Sequence, residues 1–372
     1  MIKIGITGQT GFIGTHLFNF LNLKKDEVQL ITFEDRFFSD RSDLEEFVKK
    51  CDAIVHLAAL NRHNEPQTIY DTNIGLVNQL ISALDTTGTR PHILFSSSTQ
   101  EERDNVFGKS KREGRQLLSN WADKNGAPFT GMVIPNVFGP FGNPYYNSVI
   151  ATFSHQLTHD EKPRIETDAQ LKLIYIGDLV RVIWYLIQNR VADGEYKVSP
   201  TDEAKVTEIL TILQSFRDHY LESSIVPDLS DPFKRNLFNT FVCYIDHSKF
   251  FPYKLKLNTD ERGSFVETVK LNSGGQVSFS TTNPGVTRGN HFHTRKAERF
   301  AVIKGKAQIQ LRRIGTDKVI NFDLDGTEPA FVDMPVWHTH NITNIGSEDL
   351  YTIFWISEFF DPEDPDTFFE KV

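Results

Sequence analysis

The chain has 372 residues, of which 39% are hydrophobic and 24% charged, an ordinary composition for a globular protein able to bury large cores. Its 49 acidic and 40 basic side chains leave a net charge of −9, which argues against nucleic-acid binding and broad attraction to anionic membranes. The two cysteines, Cys51 and Cys243, have no metal-site spacing and predict no disulfide scaffold. No apolar run approaches the roughly 18 residues of a membrane span, so we expect a cytoplasmic protein without membrane insertion.

The two halves of the chain differ in pattern. Up to about residue 225, short apolar runs such as residues 2–7 alternate with helical patterns such as residues 12–23. This alternation predicts βαβ units and hence a Rossmann-like, doubly wound parallel sheet. After about residue 250, the runs are short, rich in aromatic and β-branched residues and separated by glycine turns, as around residues 307–311. They predict an all-β barrel or sandwich.

The length and this change of pattern indicate two domains, which we place at residues 1–245 and 246–372. Residues 227–252 connect them. This segment is too apolar for a flexible linker, and we expect it to pack against one or both domains.

A glycine-rich loop follows the first predicted strand and opens the first predicted helix. Gly8, Gly11 and Gly14 would allow a sharp turn and a close approach of the backbone to a pyrophosphate. The free N–H groups of the helix N-terminus, around Phe12 and Ile13, would face the phosphates. The loop therefore predicts a dinucleotide site, with a purely structural turn as the alternative.

The residues after the second predicted strand bear on the choice of dinucleotide. An acidic side chain at Glu34 or Asp35 would hold a ribose 2′-hydroxyl, whereas Arg36 would pair with a 2′-phosphate. Acidic side chains and an arginine are both present, and each of the three residues could instead be an ordinary charged residue on the solvated surface. We select Arg36 as the cofactor contact and NADP(H) as the cofactor.

The glycine spacing resembles that of the extended short-chain dehydrogenases/reductases, which act on nucleotide sugars. Residues 55–59 resemble the family's fourth strand, and this implies that Leu57 and Ala58 contact the cofactor. Residues 95–98 resemble its fifth strand, which places the catalytic serine at Ser98. Lys111 matches the family's lysine, implied to be both catalytic and cofactor-binding.

The resemblance breaks four residues before Lys111, where the family has a tyrosine and this chain has Phe107. In the family the phenol donates a proton to the carbonyl oxygen as hydride arrives, with its pKa lowered by the lysine. A phenyl ring keeps the shape and lacks the proton. General acid catalysis contributes roughly 10²- to 10⁴-fold, so we expect impaired reduction unless Ser98 or a water molecule substitutes.

The C-terminal half contains a predicted metal site. His291 and His293 are two residues apart on a predicted strand and project to the same face, which Glu298 can reach from the next strand. Imidazoles with one carboxylate suit a divalent transition metal, with Zn²⁺ our first choice and one ion per chain. The spacing resembles both cupin motifs, although Trp337 stands where a glycine is usual. On this resemblance we prefer His340 over the neighbouring His338 as the fourth ligand.

Residues 260–265 and 285–289 also resemble the deoxysugar-nucleotide epimerases, a branch of the cupins. In relatives without metal, the histidine after Arg-Gly is the base, but here that position is His291, a predicted ligand. The base must then lie elsewhere, and the open candidates are Lys254, Asp260 and His338. The sequence also offers Arg262 and Arg288 to a diphosphate, or equally to structural ion pairs.

The combination resembles the bifunctional capsular-polysaccharide enzymes of the UDP-N-acetyl-L-fucosamine pathway. This resemblance implies a UDP-4-keto-6-deoxy amino sugar as substrate, epimerisation of carbon 3 by the cupin domain and reduction of the carbon 4 ketone with NADPH. Because cupins often pair through their sheets, the resemblance to cupins also leads us to expect a homodimer. Two alternatives remain: a non-catalytic sensor that binds NADP and a nucleotide sugar, and a cupin domain that serves as a metal-stabilised dimerisation module.

Overall fold

The computed structural model describes residues 1–372, which fold into two compact units. The first unit comprises residues 1–149 and 167–206, and the second comprises residues 150–166 and 207–372. This division differs from the sequence-based boundary at residue 245. Residues 207–245 make contacts with the rest of the second unit, as where the Tyr220 hydroxyl donates to Asp333 at 2.6 Å.

The first unit is built on a six-stranded sheet in the order β2-β1-β3-β4-β5-β8, with every neighbouring pair parallel. A smaller sheet has the order β6-β7-β9. The strands are β1 (Ile2–Thr7), β2 (Val28–Ile31), β3 (Ala53–His56), β4 (His92–Ser98), β5 (Phe129–Ile134), β6 (Asn136–Phe138), β7 (Gln170–Tyr175), β8 (Asp193–Lys197) and β9 (Asp202–Lys205).

Helices cover the large sheet in two groups, which confirms the doubly wound prediction. Helices α2, α3 and α4 pack in succession over a core that includes Phe47, Leu80 and Trp121, and α1 pairs with α6. The helices of the chain are α1 (Phe12–Asn22), α2 (Arg41–Lys50), α3 (Pro66–Thr87), α4 (Val106–Asn125), α5 (Val149–Thr158), α6 (Ile176–Gln188), α7 (Val206–Phe216), α8 (Pro232–Val242) and α9 (His247–Phe250). None of them is both long enough and apolar enough to traverse a lipid bilayer.

One implication of the resemblance needs correction. The family pattern places a fourth strand at residues 55–59, but in this chain they overlap and follow the third strand, β3. The segment between β2 and β3 forms a 3₁₀ helix (Asp35–Phe38) and α2 instead of another strand. The chain runs from β1 to β2 on one side and then crosses to β3 on the other side of β1. The strand order therefore reverses between β1 and β3, and a crevice forms at such a reversal.

The second unit contains two five-stranded antiparallel sheets, in the orders β11-β20-β17-β22-β15 and β19-β18-β21-β16-β23, as expected for a cupin-type β domain. Two short pairs, β10-β14 and β12-β13, complete it. The strands are β10 (Ile225–Val226), β11 (Tyr253–Lys254), β12 (Leu257–Asp260), β13 (Gly263–Val266), β14 (Lys270–Leu271), β15 (Gln276–Thr282), β16 (Thr287–Phe292), β17 (Glu298–Lys304), β18 (Lys306–Arg313), β19 (Val319–Asp325), β20 (Ala330–Met334), β21 (His338–Asn344), β22 (Leu350–Ile356) and β23 (Phe368–Phe369).

The connecting segment, residues 227–252, contains α8 and α9 and packs against the β core of its own unit. The ring of Phe251 lies 6.2 Å from that of Phe331, and Tyr253, just beyond the segment, stacks on Phe331 at 5.0 Å. The expectation that this segment packs against a domain is confirmed. Aromatic side chains of this size bury enough apolar area to hold a short helical segment on a sheet.

Candidate active sites

The glycine-rich loop forms a tight cradle between β1 and α1. Gly8 has a φ of +70°, and a Cβ there would lie 2.7 Å from the backbone nitrogen of Ala58. A Cβ on Gly14 would lie 2.2 Å from the carbonyl oxygen of Gly8. Gly11 is the N-cap of α1 and offers no side-chain cap, so the positive end of the helix dipole faces the crevice beside β1. This cradle fits a dinucleotide pyrophosphate.

A buried histidine absent from the sequence-based candidates supports this cradle. His56, at the end of β3, contacts the hydroxyl of Thr7 through Nδ1 at 2.7 Å, and Thr7 also accepts the Ala58 N–H at 3.4 Å. Burial, aided by the nearby Lys111 ammonium, lowers the pKa of His56 to about 3. A neutral imidazole therefore joins the ends of two neighbouring strands. The sequence could have indicated this residue, because His56 is the polar residue at the end of a predicted apolar strand.

Arg36 and Glu34 lie together on the surface after β2. Arg36 Nε donates to Glu34 at 2.8 Å, and its Nη1 donates to Asp43 on α2. These two carboxylates raise the pKa of the guanidinium. The arginine and one of the acidic residues that the sequence offered for choosing between the two dinucleotides are thus ion-paired with each other.

The structure brings Lys111 and Phe107 together on the first turns of α4, which begins where Asn105 caps the Gly108 N–H at 2.7 Å. The Lys111 Nζ lies 5.7 Å from the centre of the Phe107 ring and 5.1 Å from that of Phe95. Burial lowers the pKa of Lys111 to about 8. The buried ammonium faces aromatic rings where the family has a phenol.

Ser98 is the last residue of β4. Its hydroxyl accepts the N–H of Gln100 at 3.2 Å and so caps the 3₁₀ helix Thr99–Glu102. The side chain is partly exposed at the carboxyl edge of the sheet. Substrates of parallel α/β sheets bind at that edge, so Ser98 is available to a ligand.

In the β unit, His291, His293, Glu298 and His340 converge, with one potential ligand atom from each within 4.8 Å of all the others. Glu298 Oε2 lies 3.0 Å from the Nε2 of His340, 3.2 Å from that of His293 and 3.9 Å from that of His291. Donors on a tetrahedral Zn²⁺ at about 2.0–2.1 Å are about 3.3 Å apart, which is the scale of these separations.

Two of the predicted ligands, His340 and His293, form hydrogen bonds through Nδ1, so that their Nε2 atoms remain available to a metal. His340 contacts the carbonyl oxygen of His338 through Nδ1 at 3.1 Å, and His293 contacts that of Asp366 through Nδ1. A proton on Nδ1 places the lone pair on Nε2. The Nε2 of His293 is buried and, despite its nearness to Glu298, makes no hydrogen bond. A buried nitrogen without a hydrogen-bond partner beside a carboxylate fits a cation site.

The electrostatics of the cluster favour a charged carboxylate. Burial alone would raise the pKa of Glu298, but the facing imidazoles of His291, His293 and His340 outweigh it and hold that pKa well below its usual range. Burial lowers the pKa of His340 and keeps it neutral. Burial would also lower the pKa of His293, but Glu298 and the Asp366 carbonyl outweigh burial and raise it, so a metal that binds its Nε2 would displace a proton there.

Trp337 takes the position where the cupin motif has a glycine, and its φ is +60°. This left-handed backbone explains the usual glycine, since an ordinary residue is strained there. The indole is buried against Phe292, with ring centres 5.6 Å apart. The main-chain N–H of Trp337 donates to the carbonyl of His293 at 2.8 Å. The turn thereby ties the start of β21 to a predicted ligand.

The three candidate bases lie in different surroundings. Lys254 and Asp260 are surface residues, paired with Glu328 at 3.0 Å and with Arg262 at 2.6 Å. His338 is buried; burial first, then His247, lowers its pKa to about 3. It lies outside the four-residue cluster. The Asp260–Arg262 pair also means that Arg262 makes the structural ion pair that the sequence offered as an alternative.

Comparison with known proteins identifies both units. Residues 4–199, just over half of the chain, match the model of the NAD dependent epimerase/dehydratase family. The chain belongs to that family. Residues 258–368 match the polysaccharide biosynthesis C-terminal domain, so this epimerase/dehydratase carries the domain combination of the bifunctional capsule enzymes.

Some relatives of this epimerase/dehydratase align over almost the whole chain. It is 34% identical over 370 residues to the UDP-2-acetamido-2,6-beta-L-arabino-hexul-4-ose reductase of Pseudomonas aeruginosa, covering 99% of this chain and 98% of that one. The crystal structure of the capsular polysaccharide assembling protein CapF from Staphylococcus aureus aligns over 100% of both chains, with 34% identity and a TM-score of 0.63. RMD from Pseudomonas aeruginosa, complexed with NADPH, aligns over 59% of this chain and 83% of its own, with 21% identity and a TM-score of 0.52, and so shares the fold.

Proposed function

We propose that this protein is a bifunctional nucleotide-sugar enzyme of capsular polysaccharide precursor synthesis. The β unit epimerises carbon 3 of a UDP-2-acetamido-2,6-dideoxy-4-hexulose, and the α/β unit reduces the carbon 4 ketone with NADPH. The main support is the 34% identity, over almost the whole of both chains, to a reductase named for a UDP-linked hexul-4-ose. The protein is then a cytoplasmic enzyme whose small-molecule partner is the UDP-linked keto sugar.

For the epimerisation, the support is the cluster of His291, His293, Glu298 and His340. A divalent metal, with Zn²⁺ preferred, would supply Lewis acidity that makes the hydrogen beside a carbonyl easier to remove. Glu298 and the three imidazoles would hold the ion by donors that come from both sheets of the β unit. The proton acceptor stays open among Lys254, Asp260 and His338.

For the reduction, NADPH would supply the hydride, with its pyrophosphate on the cradle of Gly8, Gly11 and Gly14. Arg36 supports NADPH over NADH because its guanidinium lies after β2, where it could pair with the 2′-phosphate in exchange for its surface ion pairs with Glu34 and Asp43. Lys111 would hold the nicotinamide ribose, and Ser98 would bind the carbonyl oxygen. Since Phe107 lacks a hydroxyl, proton delivery to that oxygen is slow and reduction is the impaired step.

We also propose a homodimer. Val277 and Phe279 on β15, an outer strand of its sheet, are 57% and 59% exposed. An outer strand that exposes two large apolar side chains pairs readily with a second copy. Size-exclusion chromatography with light scattering tests this: a monomer at micromolar concentration would contradict it.

One experiment separates catalysis from the sensor interpretation that Phe107 suggests. The zinc-loaded protein is incubated in heavy water with the UDP-4-keto sugar, and deuterium at carbon 3 is read by NMR, while absorbance at 340 nm follows NADPH. Deuterium wash-in with slow NADPH loss is the expected result. A pure sensor, or a cupin domain that only dimerises, exchanges no carbon-bound hydrogen.

A further inference from the structure

The end of the chain forms part of the sheet that carries metal ligands. We call residues 364–372 the C-terminal tail. Within it, β23 (Phe368–Phe369) pairs antiparallel with His291 and Phe292, at the edge of the sheet. The ring of Phe368 packs on that of Phe292, with centres 5.4 Å apart. The tail is therefore paired to the strand that bears the first ligand.

Asp366 connects the tail to the second ligand. Its main-chain oxygen accepts a hydrogen bond from His293 Nδ1. The residue is only 4% exposed, and its φ of +41° lies in the left-handed region. Because this carbonyl can only accept, it requires the proton on Nδ1 and leaves Nε2 of His293 as the donor atom for a metal.

The carboxylate of Asp366 holds the loop between the second and third ligands. It accepts the N–H groups of Thr294 at 3.1 Å, Arg295 at 3.0 Å and Lys296 at 3.1 Å, together with the hydroxyl of Thr294 at 2.6 Å. This loop joins His293 to Glu298. A single side chain thus accepts four hydrogen bonds from the chain segment that sets the distance between two ligands.

We propose that Asp366 is a positioning residue of the metal site, and that docking of the C-terminal tail and metal binding are thermodynamically coupled. The inference rests on the proposed metal site, which it deepens. Asp366 fixes the tautomer and direction of His293 and the path of the loop to Glu298. Since coupling is reciprocal, the bound metal must hold the tail in place by the same factor by which the docked tail raises metal affinity.

The test measures Zn²⁺ affinity of the full-length protein by competition with a chromophoric chelator. Outer hydrogen-bond partners of metal ligands typically change affinity by about 10- to 100-fold, so Asp366→Ala should weaken binding by that factor. Both variants keep the main-chain carbonyl that accepts from His293, but Asp366→Asn also keeps one side-chain oxygen that can accept from the loop N–H groups, so its loss should be intermediate. Asp361→Ala is the matched control in the neighbouring segment, because that exposed carboxylate caps only the N–H of Glu363, and its affinity should equal that of the wild type.

A second readout separates positioning from general stabilisation. Amide hydrogen exchange of the C-terminal tail should slow on zinc addition in the wild type and in Asp361→Ala. In Asp366→Asn, zinc addition should slow this exchange far less. A merely structural Asp366 would instead lower the Tm of the zinc-free and zinc-bound forms equally. The coupling is overturned if both Asp366 variants bind Zn²⁺ as tightly as the wild type. It is also overturned if amide exchange of the wild-type tail does not change on zinc addition. Absence of zinc binding by the wild type would overturn the proposed metal site itself.

Discussion

The Nε2 of His340 lies 3.0 Å from Oε2 of Glu298, although the two residues are 42 positions apart and belong to different five-stranded sheets. Glu298 starts β17 in one sheet, whereas His340 lies on β21 in the other. A metal held by both residues joins the two layers of the β unit directly. Metal binding should therefore stabilise the fold of the β unit, in addition to any role of the metal in catalysis.

Zinc should raise the stability of the β unit, by an amount that grows with the logarithm of its concentration relative to its Kd. A ligand at 100 times its Kd adds about 2.7 kcal/mol to the free energy of unfolding. We expect thermal unfolding of chelator-treated protein to shift upward on zinc addition, and His340→Ala to abolish the shift. Differential scanning calorimetry with and without zinc measures it. His219, an exposed histidine outside the cluster, supplies the control variant His219→Ala, which should keep the full shift.

Phe107→Tyr should restore the general acid. The new hydroxyl would extend from a ring whose centre is 5.7 Å from the Lys111 ammonium, close enough for that charge to lower its pKa. We expect NADPH oxidation with the UDP-4-keto sugar to rise by about 10²- to 10⁴-fold, read as kcat from absorbance at 340 nm. Equal rates in both proteins would show that another group already donates the proton.

Lys111→Met should stabilise the protein and change how its stability depends on pH. The pKa of Lys111 is about 8 when folded and about 10.4 when unfolded, so the unfolded chain binds the extra proton between these values. The burial penalty is fully present below pH 8 and disappears as pH rises toward 10.4. We expect the variant to be more stable by about 1–3 kcal/mol at pH 7, with the difference nearly gone by about pH 10.

Urea unfolding at pH 7.5 and at pH 9.5 measures this difference. Lys109→Met is the matched control, because Lys109 lies on the same helix and is paired with Asp104 on the surface at 2.9 Å. Its variant should show no comparable difference. A stability difference between the wild type and Lys111→Met that is independent of pH would contradict the buried, titrating lysine.

Gly14→Ala should abolish dinucleotide binding, because the added Cβ would lie 2.2 Å from the Gly8 carbonyl oxygen and the cradle must open. Gly75→Ala provides the opposite case. Gly75 lies within α3, where a Cβ would meet no neighbouring group within 4 Å, and alanine is favoured there by about 0.5–1 kcal/mol. Fluorescence titration with NADPH and thermal unfolding should show lost binding in the first variant and normal binding with a raised Tm in the second.

Trp337→Gly should destabilise the β unit even though it restores the usual glycine. Relief of the left-handed backbone strain is worth about 1–2 kcal/mol, whereas loss of a buried indole costs about 3–5 kcal/mol. The net loss should be about 2 kcal/mol by urea unfolding of the zinc-free protein. A variant that is more stable than the wild type would show that the strain outweighs the packing on Phe292.

Features that depend on neighbouring residues could be predicted from the sequence. The glycine loop, its strand and its helix occupy one short stretch, and their turn and close approach follow from the absence of side chains. The alternation of short apolar runs with helical patterns likewise specified a parallel sheet in one half and an antiparallel β domain in the other. Phe107 was visible as a missing hydroxyl because its position relative to Lys111 on a helix is local.

Contacts between distant residues emerged from the three-dimensional fold alone. No local pattern connects Asp366 with His293, or β17 with β21, because sheet pairing depends on the folding of the whole unit. For the same reason residues 207–250 belong with the β unit although they are largely helical. Burial, which sets the low pKa of His56 and of Lys111, is also a property of the packed core, and a sequence gives the charge of a side chain but not the water around it.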